Sequence, residues 1–128
     1  MVRRSSSNHQ RVLVVDDQPG VCDSIRKVLL FDQYEVEAFT NGSEALVAFQ
    51  RGKFDLVILD YQMPGMTGDE LAAKVRTLAP HQRILMITAY GESLAQGGER
   101  QVVADSVMSK PFDVEEFRVA VHQLTARR

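Results

Sequence analysis

Short apolar runs alternate along this chain with stretches whose apolar residues recur every three or four positions. Arg11 to Val15, R-V-L-V-V, has the length of a strand and is followed by D-D-Q-P-G. Pro19 suits the first turn of a helix, and Val21, Ile25, Val28 and Leu29 then share one helical face. Tyr34 to Phe39 alternates as a second strand, and Asn41-Gly42 turns into a short helix, Ser43 to Gln50. Leu56 to Leu59 is a third strand. Leu71, Val75 and Leu78 mark the buried face of the helix after it, which Pro80 helps to end. Ile84 to Ile87 forms a fourth strand. A fourth helix falls within Ser93 to Val103, although Gly97-Gly98 inside it costs up to ~1 kcal/mol per glycine relative to alanine. Ser106 to Ser109 is a short fifth strand. Asp113 and Glu116 then open a last helix in the manner of a capping box, with Val114, Phe117, Val121 and Leu124 on one face.

Five strands alternating with five helices imply an α/β fold with a parallel sheet covered on both faces. At 128 residues the chain fits one domain. Residues 1–9 read as a flexible basic tail and 10–128 as the domain. The last helix runs to the C-terminus, so no output domain is expected in this chain. No apolar run approaches the ~20 residues that a membrane span needs. Cys22 is the only cysteine, which excludes an internal disulfide and suits a reducing, cytoplasmic setting.

Charge changes the picture by its distribution. Arg3, Arg4 and Arg11 lie in the first eleven residues, which hold no acid. Removing those three from the 15 basic residues leaves 12 against 17 acidic ones, a balance of −5. Such a body lacks the cationic face that phosphate contacts require, so direct DNA binding is not expected.

Candidate chemistry gathers where strands end, because ligands of open parallel sheets bind beyond the carboxyl ends of the strands. The first strand runs into Asp16-Asp17, the third into Asp60, the fourth into Thr88 and the fifth into Lys110. Three close carboxylates repel, and one takes up a proton unless a cation neutralises them. Their hard oxygen donors, with no His or Cys in the cluster, suit Mg²⁺ (or Mn²⁺) better than zinc. His9, His81 and His122 lie far apart and read as surface residues. Metal and ammonium together offset charge on a phosphoryl group, and a carboxylate can attack phosphorus in line.

The motifs V-L-V-V-D-D, L-V-I-L-D-Y-Q-M-P-G-M-T-G, I-L-M-I-T-A-Y and S-K-P-F follow one another from residue 10 to residue 126. In this order they resemble the response-regulator receiver domains of two-component signalling (CheY-like). That resemblance implies a flavodoxin-like doubly wound (βα)5 fold with a five-stranded parallel sheet of order 2-1-3-4-5. It implies that Asp60 accepts a phosphoryl group from the phosphohistidine of a sensor histidine kinase or a histidine phosphotransfer protein. Asp16 and Asp17 resemble the acidic pair for the metal, Asp17 directly and Asp16 through water, with the Gln62 backbone carbonyl as a further ligand. Thr88 resembles the hydroxyl that meets the phosphoryl group, and Lys110 the lysine that pairs with it, commonly before a cis proline, here Pro111. Pro64, Gly65 and Gly68 resemble the loop that leads the chain away from the acceptor.

Gln62 and Tyr90, two residues beyond Asp60 and Thr88, occupy positions that tune hydrolysis in the family. The family's output face joins the fourth helix, fifth strand and last helix, and phosphorylation at Asp60 is expected to alter its binding to a downstream protein target or to promote a homodimer. Receivers commonly carry Tyr or Phe three residues before the lysine. Val107 stands there, short and stiff at χ1, so an atypical switch is expected, with the segment of the fourth helix taking the place of the aromatic. Two alternatives remain at this stage. One is a pseudo-receiver that binds partners without phosphorylation. The other is an Mg²⁺-dependent aspartyl phosphohydrolase, which requires a second acid where Gln62 stands.

Overall fold

Runs in which every residue is buried make the centre of the sheet. In the computed structural model, which describes residues 10–89 and 104–126, β1 (Arg11–Val15), β3 (Leu56–Asp60) and β4 (Ile84–Thr88) are almost wholly inaccessible. β2 (Glu35–Phe39) and β5 (Ser106–Ser109) are the edges, and both alternate or soften in burial. All pairings are parallel and the order is β2-β1-β3-β4-β5, as the resemblance implies.

Side chains leave successive strand positions towards opposite faces, and the core divides accordingly. Leu13, Val15, Val57 and Leu59 meet Ala45 and Phe49 of α2 (Gly42–Arg51) and Leu71, Ala72 and Val75 of α3 (Gly68–Leu78). Val12, Val14, Ile58 and Leu85 meet Cys22, Ile25 and Leu29 of α1 (Pro19–Phe31) and Phe117 and Val121 of α4 (Val114–Thr125). Helices therefore cover both faces. The tail, residues 1–9, Tyr90 and the helix expected at Ser93 to Val103 lie outside the described residues.

Two side chains expected in the core are exposed. Leu78 in the last turn of α3 is 50% accessible, and Val114 in the first turn of α4 is 53% accessible. Both sit at helix ends, outside the span of buried residues that pack on the sheet. Asn41, Thr67 and Asp113 cap α2, α3 and α4 by accepting backbone N–H bonds from Glu44, Glu70 and Glu116. The complete reciprocal capping box is Thr67 with Glu70.

The base of the sheet is tied to the end of α4. Gln10 donates from Nε2 to the Thr125 carbonyl at 2.6 Å, and Arg83 donates to the Leu124 carbonyl at 3.3 Å. The Tyr34 and Thr125 hydroxyls lie 3.1 Å apart in a buried hydrogen bond. Gln10 and Arg83 thereby take up terminal helix carbonyls that have no partner within the helix.

Beyond β3 the chain turns sharply into α3. Gly65 has φ +84°, and the Gly68 N–H donates to the Tyr61 carbonyl at 2.8 Å. A Cβ at Gly68 would lie 2.4 Å from the Asp60 carbonyl oxygen and 2.8 Å from Tyr61 Cα, both backbone atoms. Gly68→Ala is therefore expected to cost about 1–3 kcal/mol through overpacking. A lowered urea midpoint measures it, and an unchanged midpoint would show that the loop yields freely.

Candidate functional site at the carboxyl edge of the sheet

The ladder that aligns the strands continues one residue past them and fixes the chemistry-bearing positions. The Asp16 N–H donates to the Phe39 carbonyl at 3.1 Å, Tyr61 N–H to Ile87 at 2.8 Å, and Lys110 N–H to Thr88 at 2.9 Å. Register sets Asp60 opposite Ile87 and Thr88 opposite Ser109. Parallel strands in this register bring Asp16, Asp17, Asp60, Thr88 and Lys110 to one edge. The Lys110–Pro111 peptide bond is cis.

Asp16, Asp60 and Thr88 are buried, whereas Asp17 is half-buried and forms the open side of the pocket. Each of the three acids offers a carboxylate oxygen within 4.8 Å of the others. At that range two like charges repel by about 3–4 kcal/mol for an effective dielectric constant of 20. Lys110 relieves part of this, its Nζ lying 3.2 Å from Asp16 Oδ2 and 3.4 Å from Asp60 Oδ1. The other Asp16 oxygen accepts the Gln18 backbone N–H at 3.0 Å. One ammonium among three acids leaves net negative charge, and the donors are all hard oxygens. That set fits Mg²⁺ or a similar divalent ion.

Gln62 is exposed two residues after Asp60. Tyr61 packs, partly buried, against the core face shared with α2 and α3, and Met63 is buried there. Val107 is 36% exposed on the edge strand, opposite the buried Met86. Tyr90 lies outside the described residues. His81 and His122 are exposed surface residues. Cys22 is buried behind the pocket, its Sγ 3.6 Å from the Phe39 carbonyl oxygen. Burial and the neighbouring Asp16 raise its thiol pKa.

The Gln18 N–H on Asp16 was not visible in the sequence, because a backbone donor leaves no residue-type signal. The Thr67–Glu70 box does have a residue-type signal, T-x-x-E ahead of Leu71, whereas at Asp113 and Glu116 only the Asp113 side-chain bond forms.

Burial, followed by the Asp16 charge, pushes the Asp60 carboxyl up from 3.8 to about 6, against the opposing pull of Lys110. A raised native pKa means that the folded protein holds the proton more tightly than the unfolded chain does. In the metal-free protein, the stability from this group is full below 3.8 and is lost as pH rises through about 6. Asp60→Asn is expected to flatten that slope in thermal melts, and Mg²⁺ to raise the wild-type melting temperature more above pH 6 than near pH 4. Identical slopes for the two proteins would contradict the assignment.

The response regulator receiver domain model matches residues 12–122. The chain is 33% identical over 113 residues to sporulation initiation phosphotransferase F of Bacillus subtilis, covering 88% of this chain and 91% of that protein. It is 36% identical over 117 residues to regulatory protein VanRB of Enterococcus faecalis, covering 91% of this chain but 53% of that longer protein. Among solved structures it resembles the response regulator TrrA of Thermotoga maritima in complex with Mg²⁺-BeF. The TM-score is 0.81 at 36% identity, over 90% of this chain and 98% of that one. The chemotaxis response regulator CheY4 of Vibrio cholerae matches with a TM-score of 0.82 at 31% identity, over 91% of this chain and 99% of that one. With matched motifs, sheet order and acid edge all in agreement, the chain belongs to the response regulator receiver domain family of two-component signalling.

Proposed function

We propose that residues 10–128 act as a phosphorylation-controlled receiver in which Asp60 accepts a phosphoryl group from the phosphohistidine of a sensor histidine kinase or histidine phosphotransfer protein. The observation that carries this is the Lys110 ammonium, held 3.2 Å from Asp16 and 3.4 Å from Asp60 inside a cluster of three acids. A stability role alone would be poorly served by gathering three like charges, two of them buried, around one partner.

In the transfer, an Asp60 oxygen attacks phosphorus. The nitrogen–phosphorus bond of the phosphohistidine breaks, and the imidazole leaves with the bonding pair. Asp16, Asp17, Asp60 and the Gln62 backbone carbonyl would hold Mg²⁺ (or Mn²⁺), which would supply positive charge to the phosphoryl oxygens. Asp17, on the open side, would ligate directly. Asp16, whose oxygens already hold Gln18 N–H and Lys110, would act through water. Lys110 pairs with the transferred group as a point charge, and the buried Thr88 hydroxyl donates to one of its oxygens. The domain is thus a signalling acceptor that assists its own phosphorylation and dephosphorylation, with Gln62 and Tyr90 flanking the group and setting its lifetime.

Output runs through the surface of β5, α4 and the segment before β5, towards a downstream protein or a second phosphorylated copy. Val107 carries no ring to swing and its β-branch leaves χ1 little freedom, so the response resides in the segment between Thr88 and Asp105.

With Mg²⁺ and a small acyl phosphate, the intact mass of the wild-type protein is expected to rise by one phosphoryl group and that of Asp60→Asn to stay unchanged. In the same assay Tyr90→Ala shortens the adduct lifetime several-fold; equal lifetimes would remove Tyr90 from the site. Absence of an adduct on a wild-type protein that binds Mg²⁺ would point to a non-phosphorylated interaction module. A phosphoryl mimic is expected to change hydrogen-exchange protection across residues 91–105, and equal protection with and without it would refute the proposed switch.

A further inference from the structure

β5 is a short edge strand with little to hold it in register. It has four residues, alternates in exposure and pairs only with β4. Lys110 follows it directly, so the place of its ammonium depends on the register of this strand. A slip of one residue would carry Lys110 about 3.3 Å along the strand and turn its side chain to the other face.

At the far end of β5, Asp105 fastens the strand. Its Oδ2 accepts the Ile84 backbone N–H at 2.7 Å and the Arg76 guanidinium at 2.9 Å. Its own N–H donates to the Ile84 carbonyl at 2.9 Å. Arg76, in the last turn of α3, also donates from Nε to the Gln82 carbonyl at 2.8 Å. One carboxylate therefore joins the start of β5 to the start of β4, the α3–β4 loop and the end of α3. The ion pair by itself is half-exposed, and such pairs contribute at most ~1 kcal/mol. What distinguishes Asp105 is the backbone donor: Ile84 N–H lies at the first residue of a buried strand and is satisfied by a side chain that belongs to the neighbouring strand.

We infer that Asp105 is a positioning residue for Lys110, acting through the register of β5 from the opposite edge of the sheet. It rests on the proposed function in that Lys110 serves the phosphoryl pocket. Asp16 and Asp17 follow β1 and Asp60 ends β3, so the inference requires that losing Asp105 spares metal binding while impairing the lysine.

The test compares Asp105→Ala, Asp105→Asn and Tyr34→Phe, the last a control that loses a buried hydrogen bond elsewhere. In Asp105→Ala, exchange of the Lys110 amide is expected to accelerate relative to that of Val14. The rate of Asp60 phosphorylation by a small acyl phosphate should fall about tenfold or more, as misplacement of a catalytic group does, with no loss of Mg²⁺ affinity. Asp105→Asn keeps an acceptor for Ile84 N–H and recovers most of both, whereas Tyr34→Phe moves neither. Should Asp105→Ala fail to fold, Arg76→Met, which leaves the Ile84 bond in place, gives a smaller acceleration in the same direction. Wild-type Lys110 exchange in Asp105→Ala, or equal losses of metal affinity and phosphorylation rate, would overturn the inference. A wild-type protein that takes no phosphoryl group would refute the proposed function alone, since the amide exchange still decides the role of Asp105.

Discussion

Mutual repulsion among Asp16, Asp17 and Asp60 is the constraint to which the carboxyl edge of the sheet answers. Three carboxylates with oxygens within 4.8 Å are tolerable only while a cation stays between them. Lys110 performs that role from a strand that touches neither β1 nor β3. Reaching Asp16 from β5 spans the width of two intervening strands. The ammonium meets both carboxylates because β1, β3, β4 and β5 are parallel and their carboxyl ends fall within a residue or two of one another. Parallelism in turn obliges a crossover helix between strands, so the alternation of elements and the charge balance of one small pocket are a single requirement.

The same pocket shows why buried polarity need not destabilise the fold. Asp16 has a backbone donor on one oxygen and an ammonium on the other, whereas Asp60 meets its burial by holding a proton up to about pH 6. Two adjacent acids thus solve the same electrostatic problem differently.

The strands and the acid edge were legible because buried parallel strands are written as unbroken apolar runs and their ends as abrupt polar residues, whereas the sheet order followed from the family resemblance alone. V-L-V-V into D-D, or I-L-M-I into T, leaves little freedom in placing either the strand or its carboxyl end. Helix faces were read less well at their ends. Periodicity put Leu78 and Val114 inward, but it cannot say where a helix leaves the sheet. Contacts made by main-chain groups, such as Gln18 N–H on Asp16, and contacts between residues far apart in sequence, such as Arg76 with Asp105, have no signature in residue type or spacing. They were visible only in three dimensions.

The staple at the base of the sheet has a mechanical consequence. Gln10, Tyr34 and Arg83 precede β1, β2 and β4, and all three grip the last turn of α4. The helix is therefore clamped at the amino end of the sheet, and among the described residues its other ties are lateral, Arg118 pairing with Asp32 and Phe117 stacking on Phe112. A force applied at the pocket would pivot α4 about its C-terminus like a lever about a fixed fulcrum. Displacement would grow towards Val114, and any segment joined beyond the helix would feel almost none of it.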